Sequence, residues 1–123
     1  MKGLKLLVAG LVVLGLLAGV ALASDLSNCR DNMLYLANAA EIWANAHHNK
    51  YPTTQEFLGK DFAKYVKIVG GNDNSFYCPM TGQGLRYEVR SDLKYFCIKS
   101  PNPEKFGLRN FYFSSLNGMI QSK

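Results

Sequence analysis

The chain has 123 residues and a formal net charge of +5. About 100 residues follow an apolar leader, which is enough for one domain and leaves no room for a second. Without Lys2 and Lys5, 12 basic residues face 9 acidic ones, a net charge of +3 with no run of like charge, and this excludes a dedicated nucleic-acid track.

The leader is an almost unbroken apolar run at residues 4–23. Lys2 and Lys5 supply a basic beginning, and small residues surround the bond between Ala23 and Ser24. These are features of a secretory signal peptide, so cleavage after Ala23 is one expectation.

A retained membrane anchor is the alternative for the same segment. The apolar stretch from Leu6 to Ala23 has 18 residues, close to the roughly 20 helical residues that cross a bilayer. Both alternatives predict export to the periplasm, the cell surface or the inner membrane. They divide the chain into a signal peptide or anchor at 1–23 and a globular domain at 24–123.

A long amphipathic helix is predicted next, because apolar residues recur at spacings of three and four. The stripe comprises Leu26, Cys29, Met33, Leu36, Ala37, Ala40, Trp43, Ala44 and His47. Asp25 or Ser27 can cap this helix, unless a retained leader makes one helix continuous from the membrane into the domain. We expect it to end near Asn49, since Pro52 disfavours the α conformation at Tyr51.

A helical crossover follows. Thr53 and Glu56 predict a capping box that starts a short helix, and Gly59 is expected to break that helix into two pieces. The polar stretch at residues 72–75 is expected to be a turn. Its oxygens are of the type that suits Ca²⁺, but Asp73 is a single carboxylate, so no metal site is predicted.

The period then shortens to two. Residues 85–90 alternate between apolar and charged side chains, which predicts a strand. A turn at Ser91-Asp92 and a second run at 94–99 complete a predicted antiparallel hairpin, and residues 111–113 suggest a last short strand. The expected fold class is α+β, with a long N-terminal helix packed on a small antiparallel sheet.

Three cysteines in an exported chain allow one disulfide and leave one thiol over. Cys78 precedes the hairpin and Cys97 lies in its second strand, so this pair is favoured, with a loop-closure contribution of about 3 kcal/mol. Cys29 is then a buried thiol, with an intersubunit bridge or a bond to Cys78 as alternatives. A nucleophilic Cys29 is disfavoured, because His47 and His48 lie about five helical turns away.

Several residues together resemble the globular part of type IV pilin-like proteins and of pseudopilins of type II secretion systems. The likeness spans residues 26–120. It consists of Cys29, Asn32, Tyr51-Pro52, Tyr65-Val66, Cys78-Pro79-x-x-Gly82, Tyr87, Cys97 and Phe113-x-Ser115-x-x-Gly118. The resemblance implies a helical spine lying across an antiparallel sheet.

The leader is atypical for that family. Gly3-Leu4 fits a prepilin cleavage site, but Val8 stands where the family has a glutamate. The residues expected to matter structurally are Trp43, Tyr51, Pro52, Pro79, Gly82 and Gly118.

No catalytic, metal or cofactor motif is found in the sequence. Adjacent His47 and His48 point about 100° apart on a helix and are not a metal pair. We expect an envelope-associated structural or assembly subunit of a secretion or pilus-type system. Its partners would be pilin-like subunits, envelope proteins and, if the leader is uncleaved, the membrane, with no small-molecule substrate. The alternative is a secreted module that binds a glycan, peptide or protein through Tyr112 and Phe106.

Overall fold

A computed structural model describes the backbone of residues 2–123 and the side chains of residues 24–123. The elements in chain order are α1 (Lys2–Ala46), α2 (Thr54–Phe57), α3 (Lys60–Ile68), β1 (Arg86–Val89), β2 (Phe96–Lys99), β3 (Asn110–Ser114) and β4 (Gly118–Ser122). Single 3-10 turns occur at Asp73–Phe76 and Pro103–Phe106. The predicted α+β class, a long N-terminal helix with a small antiparallel sheet, is confirmed.

The predicted signal peptide or anchor at 1–23 lies outside the residues whose side chains are described. Among residues 24–123, no helix is both long and apolar enough to cross a bilayer.

Helix α1 continues through both of its candidate N-caps. Asp25 and Ser27 lie inside the helix, so neither caps it. The helix ends three residues before the predicted position, and His48 and Asn49 then adopt left-handed φ angles of 59° and 61°. The N–H of Asn49 donates to the carbonyl of Ala44 at 2.8 Å, which closes the C-terminus.

The predicted apolar stripe of α1 is confirmed as the face that enters the core. Seven of its nine members are buried, and Leu26 and His47 at its two ends are half-buried. Four alanines on α1 are buried, namely Ala37, Ala40 and Ala44 of the stripe and Ala39 outside it. Small side chains bring the helix axis close to its neighbours, while Met33 and Leu36 each contribute about 1.5–3 kcal/mol of burial.

The crossover is built as predicted. The Thr53 hydroxyl accepts from the Glu56 N–H at 3.1 Å, and the Thr53 N–H donates to the Glu56 carboxylate at 2.9 Å. Gly59 separates α2 from α3 and occupies the N-cap of α3. The buried Phe57 and Phe62 of these short helices pack together with ring centroids 5.0 Å apart.

The sheet is a four-stranded antiparallel meander in the order β1-β2-β3-β4. The predicted hairpin is confirmed, with Tyr87 opposite Ile98 and Glu88 opposite Cys97. Residues 111–113 lie in β3, but they are not the last strand, because β4 pairs with β3 beyond the tight turn at residues 114–118.

The two sheet faces differ in character. Directly opposed residues share a face, so the register places Tyr87, Ile98 and Phe113 on the inner face towards α1. Glu88 and Cys97 point to the outer face with their partners on neighbouring strands. Residues of the inner face therefore meet at the junction with α1, and residues of the outer face meet on the opposite side of the sheet.

Gly71 marks the closest approach of the crossover to α1. A Cβ atom there would lie 2.7 Å from Cγ1 of Val66 and 3.1 Å from Cβ of Tyr35. We expect Gly71→Ala to lower the free energy of unfolding by about 1–3 kcal/mol, because the added methyl overpacks this junction. The change is measured by urea denaturation.

Gly84→Ala is the matched control. Its nearest contact would be the Phe76 carbonyl at 3.9 Å, an ordinary van der Waals distance, so its effect is expected to stay within about 0.5 kcal/mol. Equal destabilisation by the two alanines would contradict the packing described here.

Candidate functional site: the helix–sheet junction and the outer groove

Trp43 organises the C-terminal end of α1. Its ring is buried and stacks on His47 with centroids 3.9 Å apart and planes 7° apart. Phe62 and Tyr65 of α3 meet it edge-on. The Nδ1 atom of His47 lies 2.7 Å from the Trp43 carbonyl oxygen, so this histidine serves the helix end, whereas His48 is exposed. Both histidines lie beyond the end of α1, in the turn that follows it, and not on the helix as the sequence predicts.

Tyr51 joins the exit of α1 to the sheet. Its hydroxyl donates to Glu41 at 2.9 Å, its ring meets Phe96 edge-on at 4.6 Å, and its N–H donates to the Leu93 carbonyl at 2.9 Å. Burial, and secondly the Glu41 carboxylate, raise the pKa of Tyr51 to about 12. These contacts fix the end of the helix over the β1–β2 turn.

Pro52 is fully buried and supplies an acceptor inside the core. Its carbonyl accepts a hydrogen bond from the buried Tyr87 hydroxyl at 2.6 Å. Burial raises the pKa of Tyr87 well above its ordinary value of 10. Both Tyr51 and Pro52 of the Tyr-Pro motif therefore contact the sheet.

Pro79 and Gly82 belong to a turn between α3 and β1. The Gly82 N–H donates to the Cys78 carbonyl at 2.8 Å, and Gly82 has a φ of +70°, which favours glycine. Asn32 on α1 donates its side-chain amide to the Tyr77 carbonyl at 2.9 Å. These residues line a cleft of about 490 Å³ together with Asn74 and Cys78.

Gly118 has a comparable backbone role at the β3–β4 turn. Its φ is +76°, and it is the first residue of β4. The Asn117 N–H beside it donates to the Ser114 hydroxyl at 2.9 Å. Gly118 therefore shapes the hairpin and contributes no side-chain chemistry.

The expected pairing of Cys78 with Cys97 is not formed. All three cysteines of the chain are buried free thiols, and the structure places these two on opposite faces of the sheet. Cys97 is directly opposite Glu88, on the outer face, whereas Cys78 lies in the core. Cys78 instead belongs to the same buried core cluster as Cys29, and burial, followed by the neighbouring Cys78 thiol, raises the pKa of Cys29.

A groove of about 650 Å³ runs over the outer sheet face. Its lining includes the cations Arg90, Lys99 and Arg109 and the tyrosines Tyr95 and Tyr112. The Glu88 carboxylate and the Cys97 thiol also line it. Lys99 pairs with Glu88 at 2.9 Å, and this hydrogen bond raises the pKa of Lys99. Among the residues with described side chains, Arg109 makes no ion pair.

Sequence reasoning selected only part of this groove. Tyr112 lines it as expected, but Phe106 packs edge-on against Phe111 with centroids 5.7 Å apart and does not line the groove. The cations were missed, although the alternation at residues 85–90 already places Glu88 and Arg90 on the face away from Tyr87. No comparable signal places Arg109, which precedes β3 in a loop.

Tyr87→Phe tests the buried hydrogen bond at Pro52. Loss of the hydroxyl leaves the Pro52 carbonyl without its donor, so we expect the free energy of unfolding to fall by about 1–3 kcal/mol in urea denaturation. Tyr112→Phe on the outer face is the control and should change it by less than about 0.5 kcal/mol. Indistinguishable variants would refute a specific role for this hydrogen bond.

Tyr51 gives a pH-dependent prediction. The ultraviolet difference titration between the wild type and Tyr51→Phe should show phenolate formation near pH 12 in the folded protein. Because the folded pKa is raised from 10, the stabilisation by protonated Tyr51 is complete below about pH 10 and is lost between about pH 10 and 12. Glu41→Gln should lower this pKa, and a wild-type transition centred at pH 10 would contradict the contact.

Comparison with known proteins finds no relative of this chain. No protein family model, curated protein or solved structure matches the chain. The likeness to pilin-like proteins therefore stays a prediction that depends on the motifs of residues 26–120.

Proposed function

We propose that the chain is an exported, envelope-associated structural subunit of the pilin or pseudopilin type, which acts by assembling with similar subunits and not by catalysis. The observation that carries the proposal is the single helix α1, which contains both the apolar leader and the stripe that packs on the sheet. A helix of this kind couples a membrane-seeking segment to a folded domain without a flexible linker.

The contacts of α1 support its proposed role as the structural spine of a subunit. Its buried face contacts α3, the sheet and the 3-10 turn at Asp73–Phe76. Its last turn is held by Trp43 and by the Tyr51 contact to Glu41. Helix α1 is thus held against the domain at several separate places along its buried face.

The outward face of α1 offers a contact for neighbouring subunits. Among the described residues of this helix, Ile42 is the large apolar side chain that is exposed, with 36% of its surface accessible. Bundled spines would place such a side chain against the next helix, where its burial is favourable. We infer that Ile42 lies at a subunit contact.

The state of the leader tests the membrane half of the proposal. In fractionated cells, mass spectrometry of the full chain should find it in the membrane, with a mature start at Met1 or Leu4 and none at Ser24. Leu14→Lys, which adds a charge to the apolar run, should shift the chain out of the membrane, because a central lysine costs about 2.5–3.5 kcal/mol. A soluble species that begins at Ser24 would refute this half.

Photo-crosslinking tests the assembly half. A photoreactive residue at Ile42 should give dimers and higher species of the full chain in membranes. The same residue at Leu58, which is 74% exposed on the crossover, is the matched control and should give none. Crosslinks from Leu58 alone, or from neither position, would argue against bundled spines.

A secreted binding module is the second candidate, and the outer groove favours it. Three cations beside two tyrosines suit an acidic chain such as a sulfated polysaccharide, with the rings packing on sugar faces and the cations pairing with sulfates. Arg109 is the cation best placed to engage a ligand, since Lys99 and Arg90 already pair with acidic residues.

Matched charge removal tests the groove on immobilised heparin. Changing Arg90, Lys99 and Arg109 to Gln should make the plot of log affinity against log salt concentration less steep, with a reduction of about two in the magnitude of its slope. The control changes Lys60, Lys64 and Lys67 of α3 to Gln, which removes the same charge from an exposed surface. Equal losses for both triple variants would indicate general charge attraction and refute a groove-specific site.

A further inference from the structure

The thiols of Cys29 and Cys78 meet in the core, and the proposed function makes no use of them. Cys29 comes from α1 and Cys78 from the turn that precedes β1. Both residues are fully buried members of one core cluster, and the hydrogen bond from Asn32 to the Tyr77 carbonyl joins their two segments. Elements that are 49 positions apart in the chain thus bring two sulfur atoms together.

The backbone on both sides of this contact is held in place. Asn32, one turn beyond Cys29, donates to the Tyr77 carbonyl at 2.9 Å, immediately before Cys78. The Cys78 N–H donates to the Gln83 carbonyl at 2.7 Å. A disulfide requires Cα atoms within about 4.4–6.8 Å of each other. The Asn32 hydrogen bond holds α1 against the segment that carries Cys78, and the Cys78 hydrogen bond fixes the turn itself.

We propose that Cys29 and Cys78 form an intramolecular disulfide that ties α1 to the turn before the sheet. The two thiols lose two protons and two electrons as the sulfur–sulfur bond forms, and an external disulfide, such as that of a thiol oxidoreductase or oxidised glutathione, is reduced to two thiols. In the cell the bond rests on the proposed export, because that places the chain in an oxidising compartment.

Cys97 is excluded as a partner for either thiol by the sheet itself. It lies on the outer face beside Glu88, and the backbone of β2 separates it from the core. Its burial raises the pKa of its thiol, which keeps it protonated and slow to react. The chain therefore has one intramolecular pair and one remaining thiol.

The bond forms before the core closes. Burial, and secondly the neighbouring Cys78, raise the pKa of Cys29 far above its ordinary value, so the folded protein holds too little thiolate for rapid exchange. Cys78 lines the same cleft as Asn32 and Pro79, but its side chain is fully buried in the folded protein. Oxidation should accordingly be fast during folding and slow afterwards.

Peptide mapping of the wild-type full chain tests the pairing directly. The chain, kept in detergent micelles, is unfolded in urea with its thiols reduced and is then refolded with reduced and oxidised glutathione. After alkylation, trypsin yields the three cysteines in separate peptides, at 6–30, 68–86 and 95–99. We expect peptide 6–30 linked to peptide 68–86 in a monomer, and peptide 95–99 in its alkylated form.

Stability provides a second readout. A loop of about 50 residues should lower the unfolding equilibrium constant roughly a thousandfold relative to the reduced protein. Cys97→Ala should keep this difference between oxidised and reduced samples, whereas Cys29→Ala and Cys78→Ala should abolish it. The mapping needs no variant, so it decides the matter even if an alanine variant fails to fold.

Three outcomes would overturn the inference. They are alkylation of all three cysteines after oxidative refolding, a link between peptides 68–86 and 95–99, and a link that appears only in a disulfide-bonded dimer. None of these outcomes depends on export, so they are distinguishable from failure of the proposed function, which the leader and crosslinking experiments test.

Discussion

The fit between the apolar stripe of α1 and the inner face of the sheet is the interaction on which the rest of the structure depends. The sheet has four short strands, and its inner aromatic residues would face water without the helix. Alanines such as Ala40 let α1 lie close, while Met33 and Trp43 fill the space between the elements. The hydrophobic burial that stabilises the domain is therefore shared between a helix and a sheet that would each be marginal alone.

The sheet also divides the chemistry of the domain. Tyr87 and the Cys78 thiol lie on the side of α1, where the Pro52 carbonyl satisfies the buried Tyr87 hydroxyl. The cations and carboxylates lie on the other side, in the outer groove around Lys99 and Arg109. The proposed assembly through α1 and the proposed recognition through the groove would therefore use separate surfaces.

Much of this architecture is predictable from local sequence, because local rules fix it. The stripe spacing predicts a helix with one buried face. The Thr53–Glu56 capping box predicts where a short helix starts, and the alternation around Tyr87 predicts a strand. Strand β4 was missed because residues 118–122 begin with glycine and alternate too weakly to signal a strand. The cysteine pairing failed for a related reason, since 96–98 is apolar throughout and gives no indication of which face Cys97 takes. The Cys29–Cys78 contact depends on how the crossover returns to α1, which is a tertiary property that no local pattern contains.

The chain order of helix and sheet has a consequence for biosynthesis. Met33 emerges from the ribosome before its partners around Ile98, which are 65 positions later. At roughly 5–20 residues per second, the stripe waits about 3–13 s for the surface that covers it. During that interval the apolar face of α1 on the nascent chain is exposed to water, which is a property of the helix-first chain order that the folded structure does not display.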